Sequence, residues 1–127
     1  MAYEALLRIG NFTAGDDMSV TGQYRICTFS GLNVIIALTA TQVPLGILQN
    51  TPSATQNAEL ALIGSISKLK MTGAVTTGNG MIGCTSGYGV ELTSGTSGQY
   101  VFARMLDNWS SAASGMATVL VVGPSYI

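Results

Sequence analysis

The stretch of sequence that decides the fold runs from Pro44 to Met71 and reads PLGILQNTPSATQNAELALIGSISKLKM. It begins with a short apolar strand at residues 46–48, which leads into a polar connection from Gln49 to Asn57. Thr51-Pro52-Ser53 cannot continue a central strand, because proline donates no hydrogen bond to a sheet. We therefore expect an exposed loop between two strands, and the stretch contains no recognisable catalytic constellation.

The strand that follows this loop changes its buried face. Its apolar residues fall into two alternating sets, with Leu60, Leu62 and Ile66 in one and Leu69 and Met71 in the other. Successive side chains of a strand point to opposite faces, so the buried face must switch between Ile66 and Leu69. We expect a bulge or a sharp bend near Ser67-Lys68.

Turn residues and short apolar runs alternate along most of the chain. The 16 glycines separate runs of β-branched and aliphatic residues, a pattern typical of many strands joined by turns. Further strands are expected at Gln23–Phe29, with Ile26 and Cys27 on opposite faces, and at Asn33–Leu38, Met81–Cys84, Val90–Leu92, Tyr100–Leu106 and Ala117–Val122. We predict an all-β fold, a small single-domain barrel or sandwich over residues 20–127, preceded by an extended N-terminal arm over residues 1–19.

The predicted arm is too apolar for a solvated tail. Its apolar residues are Tyr3, Leu6, Leu7, Ile9 and Phe12. Either they fold back on their own domain, or they form an arm that packs on a neighbouring subunit.

Neither secretion nor membrane insertion is expected. Glu4 and Arg8 interrupt the apolar residues at the N-terminus, which lacks the hydrophobic core of a signal peptide. The longest apolar region, Leu32 to Leu48, contains polar residues and Pro44 and is too short to span a bilayer.

The chain is unusually poor in charge. Charged residues make up 9% of it, against roughly a quarter in ordinary soluble proteins. The formal net charge of -1 produces weak long-range fields, so we expect no nucleic acid partner. Such a surface suits a protein that is packed against other proteins, and a Ser/Thr-rich soluble domain is the plainer alternative.

We predict no catalytic, cofactor or metal site. The chain contains no histidine, which removes Ser-His-Asp triads, Cys-His pairs and imidazole metal ligands. Asp16-Asp17 lacks the spaced acidic pattern of a calcium loop, so a turn or capping role is expected. Nothing indicates that Glu59 and Glu91 meet as a carboxylate pair, and Ser67-Lys68 should point to opposite faces of a strand.

Three further side chains have alternative interpretations. Cys27 and Cys84 have no CxxC spacing and lie in apolar strands, which favours buried free thiols over a disulfide. Trp109 is either a core or interface anchor or a platform for stacking a sugar.

The pattern GxLQNxPxxxQxAEL, followed by GxxxK, resembles small capsid decoration proteins, or cement proteins, of tailed bacteriophages. The matching residues are Gly46, Leu48, Gln49, Asn50, Pro52, Gln56, Ala58, Glu59, Leu60, Gly64 and Lys68. Three other pieces fit in the same order: Gly15-Asp16-Asp17, TGQYRI at residues 21–26, and YVFARMLD at residues 100–107. The resemblance covers most of the chain, although residues 1–12 match nothing in it.

This resemblance implies a non-enzymatic virion protein on the outer surface of the phage head. Such proteins are β-rich, often trimeric, and reinforce contacts between major capsid subunits. We expect a homotrimer that binds the major capsid protein, and the interface residues that we predict are Tyr3, Leu6, Leu7, Ile9, Phe12, Gln49, Asn50, Thr51, Pro52 and Trp109. The alternative role of Asn50 and Pro52 is to fix the shape of a turn. The competing function is a carbohydrate-binding or tail-associated β module.

Overall fold

Strands dominate the part of the chain that the structure describes. A computed structural model describes residues 9–37, 39, 42–72, 81–92, 100–106 and 115–126. Within these ranges the all-β prediction is confirmed. The strands are β1 (Ile9–Ala14), β2 (Ile26–Ser30), β3 (Asn33–Ile36), β4 (Gly46–Leu48), β5 (Asn57–Ala61), β6 (Ile66–Met71), β7 (Met81–Thr85), β8 (Tyr88–Glu91), β9 (Tyr100–Met105) and β10 (Gly115–Tyr126).

The strands close into two barrels that share one topology. The first barrel has the order β1-β3-β2-β4-β5, and the second has the order β6-β8-β7-β9-β10. In each barrel the first strand runs parallel to the third, and the other neighbouring pairs are antiparallel. The second half of the chain thus repeats the fold of the first half, and closure leaves neither sheet with a free edge.

The duplication is faint in the sequence. Residues 43–54 read VPLGILQNTPSA, and residues 101–112 read VFARMLDNWSSA, with identity at the Val, Leu, Asn, Ser and Ala positions. Each segment begins in or before the fourth strand of its barrel and continues into the connection to the fifth strand. Of the second segment, the structure describes residues 101–106. The shared topology identifies this similarity as a repeat.

The first barrel has apolar residues on both faces of its strands. Its interior cluster comprises Ala14, Met18, Cys27, Val34, Leu48, Ala58 and Leu60. On the outer face, Ile26 is opposite Ile47 and Ile47 is opposite Ala61, and all three side chains are fully buried. These three belong to one apolar cluster with residues of the second barrel, which therefore covers them. This is why Ile26 and Cys27, on opposite faces of β2, are both buried.

Hydrogen bonds also hold the two barrels together. The Ile26 N–H donates to the Gly87 carbonyl (2.7 Å), and the Lys70 N–H donates to the Tyr24 carbonyl (2.9 Å). The Arg25 guanidinium donates to the Ser86 carbonyl. Apolar packing and backbone hydrogen bonds together fix the relative position of the barrels.

The predicted bend at Ser67-Lys68 is misplaced. Strand β6 alternates regularly, with Ser67 buried and Lys68 exposed, and it pairs with β10 without a shift in register. The change of buried face occurs in residues 62–65, between β5 and β6, where the Ser65 N–H donates to the Leu62 carbonyl (3.0 Å). The reason is that the chain passes here from the first barrel into the second, so the side chains that follow face the interior of a different barrel.

Part of the predicted N-terminal arm is a barrel strand. Strand β1 pairs with β5 from Ile9, opposite Ala61, to Thr13, opposite Asn57, and it runs beside β3. Without β1 the first barrel would stay open, with unpaired edges on β3 and β5. The arm stays a prediction for residues 1–8, which lie outside the described residues.

Two turn glycines test the contact between the barrels. Gly31, between β2 and β3, and Gly87, between β7 and β8, both have positive φ (63° and 79°). A Cβ at Gly31 would meet nothing within 4 Å, whereas at Gly87 it would lie 2.5 Å from Cγ2 of Ile36 in the first barrel. We expect Gly31→Ala to cost about 1–2 kcal/mol for the left-handed conformation. Gly87→Ala should cost about 1–3 kcal/mol more because of overpacking.

Urea unfolding followed by circular dichroism measures both variants against the unchanged protein. Gly31→Ala is the control for backbone strain. Equal unfolding midpoints for the two variants would show that the Gly87 turn does not press against the first barrel.

Candidate functional site

The predicted interface residues are found in three different settings. Tyr3, Leu6, Leu7 and Trp109 lie outside the described residues. Ile9 is 39% exposed at the start of β1. Phe12, on the same strand, is half-buried against the interior of the first barrel, and its ring meets the Phe29 ring edge to face, with centroids 5.6 Å apart.

The loop from Gln49 to Asn57 is held by its own hydrogen bonds. The Gln49 side chain donates to the Ile47 carbonyl (3.0 Å) and to the Ser67 hydroxyl (2.9 Å). The Asn50 side chain donates to the Asn57 carbonyl (2.9 Å) and accepts from the Glu59 N–H (3.0 Å). The Asn50 contacts support the interpretation of this residue as one that fixes the shape of a turn, and Gln49 contributes to the same connection.

The rest of this loop packs against the connection that follows β1. Pro52 is buried, and its carbonyl accepts from the Met18 N–H (2.9 Å), while Thr51 is exposed. Thr55 has a φ of 72°, which is rare for a β-branched residue, and its N–H donates to the Ala14 carbonyl (2.9 Å). The loop therefore has one specified conformation, and Thr51 is the predicted interface residue in it that faces solvent.

An apolar surface that the sequence analysis did not predict lies at one end of the first barrel. The β2–β3 hairpin exposes Phe29 (51%) and, at its tip, Leu32 (95%), and Val43 before β4 is half exposed. An open groove of about 520 Å³ adjoins them, lined by Thr28, Phe29, Gln42, Val43, Pro44, Leu45 and Pro124. We call Phe29, Leu32, Val43 and this groove the apolar end.

The apolar end is continuous with part of the predicted interface. Phe29 contacts Phe12, and a Cβ on Gly10 would touch both the Phe12 ring and Leu62. Strand β1 thus brings Phe12 to the apolar end, whereas Ile9, three positions away, lies on the other face of the strand. One residue in the sequence could have indicated this surface. Leu32 stands in the turn Ser30-Gly31-Leu32-Asn33, and a turn normally carries polar residues at its tip.

The described residues present no cluster of side chains suited to hold a metal ion. Among them, no group of three or more Cys, Asp or Glu side chains is placed to hold a metal ion. Asp17 accepts hydrogen bonds from the Ser19 N–H (3.0 Å) and hydroxyl (2.5 Å), in agreement with the predicted turn role, and these bonds lower its pKa. Glu59 lies in the first barrel and Glu91 in the second. Within the same ranges, no helix is long and apolar enough to cross a membrane.

Both cysteines are buried free thiols, as predicted. Cys27 lies inside the first barrel, and Cys84 in the second barrel donates to the Ala37 carbonyl (3.4 Å). Burial raises the pKa of Cys27 to about 12 and also raises the pKa of Cys84. Since the thiolate is the reactive form, neither side chain is suited to be a nucleophile.

No model of a known protein family matches the chain, and no curated protein matches it either. The resemblance to decoration proteins is therefore a hypothesis. The exposed surface supplies the structural argument for a function.

Asn50→Ala tests whether the loop residue is structural. The substitution leaves the Asn57 carbonyl and the Glu59 N–H without their side-chain partner, so we expect a loss of about 1–3 kcal/mol in the free energy of unfolding. Thr51→Ala, one residue away and exposed, should stay within about 0.5 kcal/mol of the unchanged protein. Urea unfolding measures both. If the two variants unfold at the same urea concentration, the Asn50 side chain does not hold the turn.

Thiol reactivity should report unfolding. At pH 8 the folded protein should not react with an aromatic disulfide reagent, and both thiols should react in urea. The unfolded Cys27 thiol ionises near pH 9.0 and the folded one near pH 12, so its stabilising contribution is complete below pH 9 and is lost as the pH rises towards 12. Fast reaction of either thiol without urea would contradict the burial of the two side chains. The Cys27→Ala variant shows which part of the reaction comes from Cys27 and which from Cys84.

Proposed function

We propose that this chain is a decoration protein of a tailed-phage head. It binds the outer surface of the capsid as a homotrimer and strengthens contacts between major capsid subunits. The observation that carries the proposal is the apolar end, where Leu32 and Phe29 face solvent on a rigid hairpin. Exposed apolar side chains grouped on a surface are characteristic of sites that bind another protein.

Three features support this proposal together. The family resemblance names the class of partner, and the two packed barrels supply a rigid scaffold with its closed sheets protected from edge pairing. The low charge of the chain leaves apolar and neutral polar contacts as the main means of binding. The carbohydrate-binding alternative depends on Trp109, which lies outside the described residues.

Such a protein needs no chemistry to stabilise a capsid. A molecule that binds the assembled lattice and not the free subunits shifts the equilibrium towards the lattice by mass action. In a trimer the second and third contacts become intramolecular once the first has formed, so modest contacts add up to tight binding. Burying one exposed leucine contributes about 1.5–3 kcal/mol, which is roughly a tenfold or larger change in affinity per contact.

The test uses preformed heads that lack the decoration protein, mixed with the purified chain and sedimented. We expect saturable co-sedimentation and a higher melting temperature of the heads. Leu32→Asp should reduce the affinity at least tenfold, because it removes the exposed leucine from the apolar end. Asn33→Asp is the matched control: it adds the same charge to the same hairpin at an exposed position and keeps Leu32.

Two outcomes would contradict the proposal. Absence of saturable binding by the unchanged protein would reject the decoration function. Equal binding by Leu32→Asp and the unchanged protein would reject the apolar end as the contact. A deletion that tests the predicted arm must stop at residue 8, because β1 starts at Ile9 and belongs to the first barrel.

A further inference from the structure

The basic residues that the structure describes in this charge-poor chain lie on or beside the outer surface of the second barrel. The sequence has five, and the structure describes Arg25, Lys68, Lys70 and Arg104. On β6, Lys68 and Lys70 alternate with buried side chains, so both lie on the outer face of the second barrel. Arg25 belongs to the first barrel, but its guanidinium stacks over the Tyr88 ring of β8, 4.6 Å from the centroid, and β8 is next to β6.

Arg104 lies on the same outer face, across β10. Its strand neighbours Ala103 and Met105 pack into the core. Leu120 of β10 pairs with Arg104 on one side and with Ile66 of β6 on the other. Two strand spacings, about 10 Å, therefore separate β9 from β6.

Two of these cations have partners within the chain, and two do not. Lys70 Nζ donates to the Thr21 carbonyl (3.3 Å), and Arg25 donates to the Thr21 hydroxyl (3.4 Å). Within the described part of the chain, the charged groups of Lys68 and Arg104 have no hydrogen bond or ion pair, and both residues are exposed. Leu106 and Met116 are exposed on the same sheet. We call Lys68, Arg104, Leu106 and Met116 the cationic face.

The connection between β1 and β2 carries the complementary groups. Asp16 and Asp17 are consecutive and exposed, and Val20, three residues further on, is almost fully exposed. Hydrogen bonds with Ser19 fix the Asp17 carboxylate. We call residues 15–20 the acidic loop. It combines two carboxylates with one apolar side chain, as the cationic face combines two free cations with apolar side chains.

The acidic loop and the cationic face are not paired with each other. Thr21, next to the loop, contacts Lys70 on β6, yet no ion pair links the loop to the face within the described residues. We propose that a second copy of this chain supplies the pairing: the acidic loop of one copy docks on the cationic face of the next. Such a contact joins two different surfaces, so it can close into a ring. A ring of three copies rests on the trimer of the proposed function.

Charge reversal on each side, alone and together, tests this contact. Analytical ultracentrifugation of the purified chain should show association that weakens at least tenfold between 50 and 500 mM salt, because screening shortens from about 14 to 4 Å. Asp16→Lys/Asp17→Lys and Lys68→Glu/Arg104→Glu should each weaken association at least tenfold. The combination of all four changes should restore it. Ala54→Glu/Thr85→Glu, which adds carboxylates at exposed positions elsewhere, is the control and should associate normally.

Three results would overturn the inference. In the first, the unchanged protein stays monomeric at about 100 μM. In the second, the variants changed on one side associate normally, and in the third, the variant with all four changes does not regain association. Circular dichroism checks the fold of every variant, and the milder Asp16→Asn/Asp17→Asn should weaken association in the same direction. Head binding is measured separately: a monomeric charge variant that still sediments with heads would retain the decoration function.

Discussion

The packing of the first barrel against the second is the constraint on which the rest of the structure depends. Ile26, Ile47 and Ala61 form a row across three strands on the outer face of the first barrel, and the second barrel covers them. A five-stranded barrel of this size encloses few side chains, so burying an outer row adds apolar area that the interiors alone do not provide. Burial of apolar area contributes about 25 cal/mol per Å², so this shared row stabilises the packing of the two barrels against each other.

The sequence predicted individual strands better than their arrangement. Strand β4 was placed correctly at Gly46–Leu48, and β7 and β9 were placed to within one residue, because turn residues bound each of them. The duplication was missed, since the repeated segments share few identical residues. The bend was misplaced at Ser67-Lys68 because alternation shows that the buried face changes, but not which connection passes between two barrels.

For the candidate site, too, the sequence indicated local features and missed those that depend on contacts between distant parts of the chain. The apolar residues of β1 were noticed, and Phe12 does reach a surface that also carries Phe29. Their assignment to a free arm was wrong for residues 9–14, because pairing of β1 with β5 joins positions more than forty residues apart. Leu32 and Val43 were missed, since only the folded hairpin and the segment before β4 bring them to one end of the barrel.

The residues that carry the family resemblance make their contacts within the chain's own fold. Gln49 and Asn50 each make two hydrogen bonds that define the connection from β4 to β5, and Pro52 is buried. A shared pattern at these positions thus indicates a shared turn, since these side chains are engaged within the fold. Binding must depend on side chains that the turn and the barrels leave exposed. In a chain with 9% charged residues, the apolar end of the first barrel and the cationic face of the second are two exposed regions that differ from a neutral polar surface. Since the barrels are packed as one body, a partner that holds one region fixes the orientation of the other. Under the proposed function, a head-bound copy would then present its cationic face to a neighbouring copy at low entropic cost.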